Sequence, residues 1–430
     1  MGRHIHLGLF VFPGGHHVAG WRHPSVPARD ITSMSFYRDV AQLAERGKFD
    51  LFFVGDALAA MEKDGRLNGE APLNNWESVV ICSAVASVTR RIGLVATLST
   101  TYNDPFPVAE RFATLDHLSN GRAGWNIVTT ANDDAAGNFG QTFHLEKNLR
   151  YARAQEFVDV VIALWDSWRD ARDPAGIRTV EHRGQFFDGT GHSRVPRPPQ
   201  GRPVLVQAGT SAPGQAFAAG VGELIFTAEG DLDNARRYRA GLHELVRKAG
   251  RRAEHVRVMP GLSPVIGSTE LEAKRKDEEL DALVLPSVGV WMLSELMKVP
   301  LYGYPVDGPL PVAELRARGV GHYSRAANLV DRAEREGLTV RQAANAVARA
   351  RSHGSFVGTP EQLADRMQHW VDTEGCDGFN IMPPYFPEQL RIFVDEVIPI
   401  LQRRGVFRTD YAGTTLREHL GIPRPGEVVR

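Results

Sequence analysis

The amino-acid sequence predicts an α/β protein of the (β/α)₈ barrel class, the TIM barrel, carrying inserted loops. Short apolar runs alternate eight times with longer amphipathic stretches, and nearly all of the apolar runs are continuous. Continuous runs mark strands covered on both faces, as in a parallel sheet wrapped by helices. An open doubly wound sheet satisfies the same alternation. Length favours the barrel, because eight strand–helix units plus insertions account for all 430 residues without a second domain. Residues 1–430 are therefore expected to form one domain.

The first strand is read over His4 to Phe12 and is ended by Pro13, Gly14 and Gly15. A helix follows over about Met34 to Lys48, with Tyr37, Val40, Ala41 and Ala44 at helical spacing. Asp50 to Val54 is a buried strand, followed by a helix over Glu77 to Arg90. Ile92 to Leu98 is the third strand, and Pro107 to Leu118 a helix with proline in its first turn. Ala123 to Val128 is the fourth strand, and Leu149 to Trp165 its helix. In the second half, strands fall over Pro203 to Gln207, Glu223 to Thr227, Val256 to Ile266 and Gly378 to Met382. Helices follow Ser211, span Leu232 to Ala249, begin at Glu270, and span Glu388 to Arg404. Another precedes the last strand, where Thr359, Pro360 and Gln362 supply an N-cap, a first-turn proline and a capping box.

Three stretches exceed a bare barrel. Residues 129–148 form a polar, Asn- and Gly-rich loop after the fourth strand, and residues 166–202 contain a small hairpin over Val180 to Phe187. Residues 283–322 are rich in Pro and Gly yet carry Trp291, Met292, Met297, Tyr302 and Tyr304. The first and third fall at βα loops, where barrel enzymes place active sites and lids. The third is expected to be a mobile lid, with a fixed insertion at a subunit interface as the competing reading.

Composition narrows the function. The formal net charge is −1, and no polybasic run or charge-segregated tail appears, which argues against nucleic acid and anionic membranes as partners. Cys82 and Cys376 are the only cysteines and have no metal-ligand spacing, the pattern of buried thiols in a reducing cytoplasm. No apolar stretch reaches the roughly 20 residues of a membrane helix. The expected location is cytoplasmic, and no metal site is expected. Neither a phosphate-binding Walker loop nor a Gly-x-Gly-x-x-Gly turn after a strand is present, nor a Gly-x-Ser-x-Gly elbow.

Candidate site residues cluster where strands end. Asp56 follows the second strand by two residues, as a site carboxylate or as an Asx turn or N-cap. Thr97, Ser99, Thr100 and Thr101 close the third strand with hydroxyls. Asn126 sits inside an apolar strand and must find a partner, whether a cofactor edge or neighbouring backbone. Gly209-Thr-Ser211 ends the fifth strand and opens a helix. Glycine there lets a phosphate approach the backbone and Ser211 caps the positive helix end, though an ordinary βα turn has the same residues. His16 and His17 lie in the loop after the first strand, suited to substrate binding or acid–base work but lacking metal spacing.

These segments, in order, resemble the nitrilotriacetate/dibenzothiophene-sulfone monooxygenase branch of the bacterial luciferase-like superfamily. The resemblance runs nearly end to end. It is carried by Gly15 to His17 with Trp21 to Pro24, Phe49 to Phe53, Gly93 to Tyr102, Ala109 to Thr129 and Arg150 to Phe157. Pro199 to Gly209, Val357 to Glu361, Cys376 to Asn380 and Thr415 to Gly421 complete it. The resemblance implies a flavoprotein monooxygenase that takes reduced FMN from a separate NAD(P)H:flavin reductase. With O₂ it would oxygenate a small organic substrate through a flavin hydroperoxide. It also implies a homo-oligomer, dimer or tetramer. Asp56, Thr97, Thr101 and Asn126 would line the flavin ring or ribityl chain, and Tyr151 with Gly209 to Ser211 would meet the phosphate. Family members often carry a histidine four residues before that tyrosine. Lys147 stands there in this chain and would serve the phosphate as a point charge. His16 and His17 match a histidine pair near the substrate side. A deazaflavin-dependent oxidoreductase on the same fold, or a non-catalytic flavin-binding protein, are the alternatives.

Overall fold

The computed structural model describes residues 4–27, 31, 33–60, 62–63, 66–67, 76–168, 176–320, 324–351 and 353–426. Eight parallel strands form the barrel: β1 His6–Val11, β2 Leu51–Val54, β3 Gly93–Ser99, β4 Ala123–Val128, β5 Val204–Gln207, β6 Leu224–Thr227, β7 Arg257–Ile266 and β8 Gly378–Ile381. Each pairs with the next, and the ring closes between β8 and β1, where Leu7 faces Phe379 and Leu9 faces Ile381. Closure removes the open doubly wound alternative and leaves no barrel strand with a free edge.

The continuous apolar runs are explained by this closure. Along β4, Trp125 points outward against Phe112, Phe157 and Trp165, while Gly124 and Asn126 face the lumen. Both faces of a strand are thus buried, so no polar alternation survives in its sequence. The lumen is packed by Leu51, Phe53, Val95, Val204, Val206, Leu224, Phe226 and Met259. Its N-terminal end is plugged by the short helix Leu416–Leu420, opened by a capping box between Thr415 and Glu418. Leu416 fits because Gly93 and Gly124 leave room. A Cβ on either would lie 2.4 and 3.3 Å from its methyl groups. Arg417 anchors this plug to Glu223 at 2.7 and 2.9 Å.

The helices wrap the barrel as the sequence predicts, including α1 Met34–Arg46, α2 Ser78–Ala86, α3 Pro105–Leu118, α4 Lys147–Trp165, α5 Ala212–Val221, α6 Leu232–Lys248 and α7 Glu270–Ala282. The last barrel helix is not one regular α-helix over Glu388 to Arg404. It runs Glu388–Ile392, passes through a π turn at Phe393–Val397, and continues as Ile398–Arg403. Pro399 sits in this helix and has no N–H for an i→i−4 bond, and the widened turn lies where that bond is missing.

The three insertions take different forms. Residues 129–148 carry a short helix, Ala135–Asn138. The hairpin is Val180–Arg183 paired antiparallel with Asp188–Gly191. The third stretch is helical and longer than its sequence suggests. Pro286–Met297 and Val312–Ala317 are followed by Ser324–Glu336 and Val340–Ala350, then by a strand, Gly354–Gly358, added alongside the C-terminal half of β7. These helices bury an apolar cluster of their own, with Leu293, Leu301, Leu315, Val330 and Val340 at its centre. They rest on the barrel where Val284, Val288 and Ala348 meet Val18 and Ala19. No single helix among the described residues is long and apolar enough to cross a membrane.

Candidate active site

The C-terminal ends of β2 to β5 open into a cavity of about 500 Å³. Its walls include Asp56, Glu77, Thr97, Ser99, Thr130, Tyr151, Gln207 and Gly209. Leu98, Ile127, Val128 and Phe139 give it an apolar side. A concave site of this size with few polar groups suits a small ligand or cofactor.

The polar network of this cavity is ordered from the strands upward. Thr97 Oγ1 donates to the carbonyl of Val54 at 2.8 Å and accepts from Asn126 Nδ2 at 2.9 Å. The amide orientation follows, since a hydroxyl whose proton is committed can only accept. Asn126 Oδ1 is then left buried without a partner among the described residues. Asn380, on β8, has a buried Oδ1 in the same condition. Ser78, the first residue of α2, ties that helix to β3: its Oγ donates to Thr97 O at 2.6 Å and accepts from Thr97 N at 3.1 Å.

Asp56 accepts from Ser78 N at 3.4 Å, and burial pushes its carboxyl up to about 6. Ser99 Oγ accepts from Thr101 N at 3.1 Å and from Thr130 Oγ1 at 2.7 Å. Thr130 has φ 52°, a left-handed backbone that a β-branched residue rarely adopts. Its carbonyl accepts from Arg150 Nη1 at 2.8 Å and meets His144 Nε2 at 2.8 Å. Tyr102 bonds His144 Nδ1 at 2.6 Å and stacks on Phe139, which ties the 129–148 loop over the cavity.

At the β5 end the sequence-predicted glycine turn is a tight cradle. A Cβ on Gly209 would lie 2.6 Å from Gln207 Nε2, 2.9 Å from Gly214 Cα and 3.0 Å from the Tyr151 hydroxyl. Ser211 caps α5, its Oγ accepting from Gly214 N at 3.4 Å. Tyr151 thus brings its hydroxyl to the positive end of that helix. Lys147 begins α4 one turn before Tyr151 and is exposed.

Not every expected residue meets the cavity. Asp56, Thr97, Tyr151 and Gly209 line it. Asn126 stands beneath Thr97, while the Thr101 hydroxyl is spent on Thr129 O at 2.9 Å. Ser99, one of the hydroxyls expected at the end of the third strand, also lines the cavity, while Ser78, Thr130, Tyr102 and Gln207 are contributors for which single-residue reading gave no role. Their value lies in contacts between strand ends.

His16 and His17 part company. The His16 ring sits on Phe10, centroids 4.5 Å apart, and its Nε2 donates to Phe10 O at 3.0 Å. A carbonyl can only accept, so Nδ1 is the bare nitrogen, buried and without a partner among the described residues. Burial holds this imidazole well below its ordinary pKa, hence neutral. Phe10 also touches Phe53 and Phe226, and His353 stacks on Phe226. His17 instead faces the end of α7: its Nδ1 accepts from Ala19 N at 3.2 Å and its Nε2 lies 3.8 Å from Asp281. Neither histidine belongs to the walls of the 500 Å³ cavity. A second cavity, of about 450 Å³, lies between the ends of β5 and β6 and the insertion, with Thr210, Glu229, Asp231, Leu296, Leu329 and His353 around it. The Gly209–Thr210 pair stands between the two cavities.

A closed parallel barrel with a polar cavity at its C-terminal strand ends defines a barrel enzyme with its site in the usual place for that fold. The model of the luciferase-like monooxygenase family matches residues 12–375. N-acetyl-S-(2-succino)cysteine monooxygenase of Bacillus subtilis (strain 168) is 46% identical over 435 residues, covering 98% of each chain. Nitrilotriacetate monooxygenase component A of Aminobacter aminovorans is 44% identical, covering 98% of this chain and 97% of its own. The solved structure of EDTA monooxygenase from Chelativorans sp. BNC1 superposes with a TM-score of 0.84 at 34% identity, over 98% of this chain and 99% of that one. The chain belongs to the luciferase-like monooxygenase family and is a monooxygenase.

Proposed function

We propose that this chain is the oxygenating component of a two-component system, taking reduced FMN from a separate NAD(P)H:flavin reductase and using O₂ to oxygenate a small organic substrate. The observation that carries the reading is the pairing of a bare acceptor, Asn126 Oδ1, held beneath the cavity-lining Thr97, with a glycine cradle under the Tyr151 hydroxyl on the wall of the same cavity. An orphaned buried acceptor costs about 1–3 kcal/mol. A flavin edge or ribityl chain offers the N–H and O–H donors that relieve it. The cradle and the Ser211-capped helix end suit a phosphate, with Lys147 one turn before Tyr151 as the expected point charge. The residues present therefore fit FMN.

When bound, reduced flavin supplies the two electrons that send one oxygen atom of O₂ to substrate and the other to water. The chain's own residues position and protect. Asn126, Thr97 and Ser78 form a fixed chain of hydrogen bonds from β4 to α2, which orients whatever Asn126 Oδ1 accepts. Asp56 changes charge near pH 6 at the cavity wall and can hold a proton there. His16 offers an unprotonated Nδ1 and, with Phe10, Phe53 and Phe226, a water-poor aromatic floor. We assign His16 the acid–base part and His17 the positioning of the loop against the insertion.

The name of the Aminobacter relative, component A, supports a partner component, and a cytoplasmic location where NAD(P)H is made belongs to the same reading. Exposed Phe143 and Leu149 beside the mouth suit a homo-oligomer of two or four copies. The experiment is oxygen uptake by the purified chain with FMN, NADH and an added flavin reductase. Uptake should require the reductase. NADH oxidation by the chain alone would overturn the two-component reading, and binding of a deazaflavin in preference to FMN would favour a hydride-transferring enzyme.

A further inference from the structure

Arg351 ends the helix Val340–Ala350 with a left-handed backbone, φ 49°, its N–H bonded to Val347 O at 2.9 Å. A non-glycine residue in that region is uncommon and concentrates at functional sites. The conformation turns the side chain back toward the loop after β1. There its Nε donates to His16 O at 3.3 Å, and its guanidinium carbon lies 4.4 Å from the centre of the Phe12 ring. Nη2 is closed off from solvent and has no partner among the described residues.

Two residues earlier, Arg349 shows what a settled arginine looks like here. It pairs with Asp281 at 2.6 Å and with Asp277 at 3.0 Å. Arg351 has no such carboxylate among the described residues. Burial pulls its pKa down to about 10, so it is still a cation at neutral pH. A guanidinium presents five N–H donors, and one hydrogen bond with one ring contact leaves most of them idle. A part-buried cation whose Nη2 is closed off from solvent, with no counter-charge among the described residues, is costly to keep and is completed by an arriving anion. The groups around it are the neutral His16 and, two residues on, His353, which lines the second cavity and stacks on Phe226. The cation thus packs on the loop after β1, two residues before a histidine that lines the cavity beneath the insertion.

We propose that Arg351 anchors a carboxylate of the substrate, and that this enzyme acts on small organic carboxylates. The inference rests on the flavin occupying the β2–β5 side of the mouth, which leaves the His16 side for substrate. Planar two-point pairing to a carboxylate is what arginine offers and lysine does not.

The test uses the full chain saturated with FMN, titrated calorimetrically with succinate and tricarballylate and with their neutral amides. The acids should bind and the amides should not. Arg351→Gln should lose acid affinity at least tenfold, Arg351→Lys should lose less, and FMN affinity should stay within twofold in both. Equal binding of acids and amides, or unchanged acid binding in Arg351→Gln, overturns the proposal. Loss of FMN but not riboflavin affinity in Arg351→Gln also overturns it and gives Arg351 to the flavin phosphate. If Arg351→Gln does not fold, Arg351→Lys and the acid–amide difference in the parent protein decide. If the parent chain binds no FMN, the flavin reading fails by itself, and the acid titration on the flavin-free protein still reads Arg351.

Discussion

Asn126 and Thr97 sit opposite one another on β4 and β3, and the amide of the first donates to the hydroxyl of the second at 2.9 Å. Because Thr97 Oγ1 has already given its proton to Val54 O, the amide cannot turn over without breaking this chain. The carbonyl oxygen is therefore fixed in orientation, with no partner among the described residues. Preorganisation of this kind lowers the ordering cost of binding.

Asn126→Ala should weaken FMN binding about tenfold, one hydrogen bond to a polar ligand atom being worth roughly 1.4 kcal/mol here. Thr97→Val should act in the same direction by freeing the amide to rotate, with a smaller loss. Flavin fluorescence titration measures both. If Asn126→Ala binds FMN as well as the parent chain, the acceptor serves a buried water instead.

Ser211→Ala and Gly209→Ala should separate FMN from riboflavin. The serine caps α5, and loss of a cap costs about 1 kcal/mol of helix stability by itself. A methyl on Gly209 meets Gly214 Cα at 2.9 Å, a backbone atom that cannot swing away. With a phosphate in this cradle, both variants should lose FMN affinity at least tenfold while riboflavin affinity changes little. Equal weakening of both flavins would place the phosphate elsewhere.

How much of this was legible in the sequence depended on whether a signal was local. The eight barrel strands were readable because Leu51 to Val54 or Val204 to Gln207 are apolar on both faces and end in turns. Asp56, Thr97 and Gly209 were readable because strand ends in a barrel face one mouth. The helical insertion was cut short at residue 322, although Thr339 and Gln342 spell the same capping box as Thr359 and Gln362. Pro and Gly in residues 298–311 drew attention to the loop and away from the helices that follow. Arg351 carried no local signal at all, since its lack of a counter-charge exists only once Phe12 and His16 fold against it.

Asp56 should leave a mark on stability against pH. Its folded pKa, about 6, lies above the ordinary 3.8, so the folded chain holds the proton more tightly than the unfolded one. Between these values the folded state binds more protons, and stability falls as pH rises through about 6. A carboxyl raised from 3.8 to about 6 corresponds to about 3 kcal/mol at full burial. Solvent screening of this part-exposed group reduces that to about 1–2 kcal/mol. Asp56→Asn should therefore melt higher than the parent at pH 8 and alike at pH 4. An equal gain at both would show that the carboxylate is not strained by burial.

We propose that the insertion over residues 283–350 roofs the second cavity and keeps water from the reacting flavin. Leu296, Leu329 and Val347 on the insertion face Thr210, Asp231 and His353 on the barrel side. The roof is fastened where Val288, buried to 3% exposure, packs on Val18 and Ala19, and by the Arg349–Asp281 pair beside His17. The apolar core of the insertion is a larger cluster that meets this fastening through Met292, so loosening the seam leaves most of that core in place. Val288→Asp places a carboxylate among apolar side chains at that seam, which costs more than the contact can return. The expected result is a folded barrel with FMN affinity within threefold of the parent. After mixing the reduced, FMN-loaded protein with O₂, H₂O₂ should appear at least fivefold faster, because a site opened to water discharges oxygen chemistry unproductively. Hydrogen exchange should rise in residues 286–350 and not in β1 to β8. The competing reading makes the insertion a contact between subunits. It predicts a smaller particle by analytical ultracentrifugation with H₂O₂ release unchanged, and that outcome would end the roof proposal.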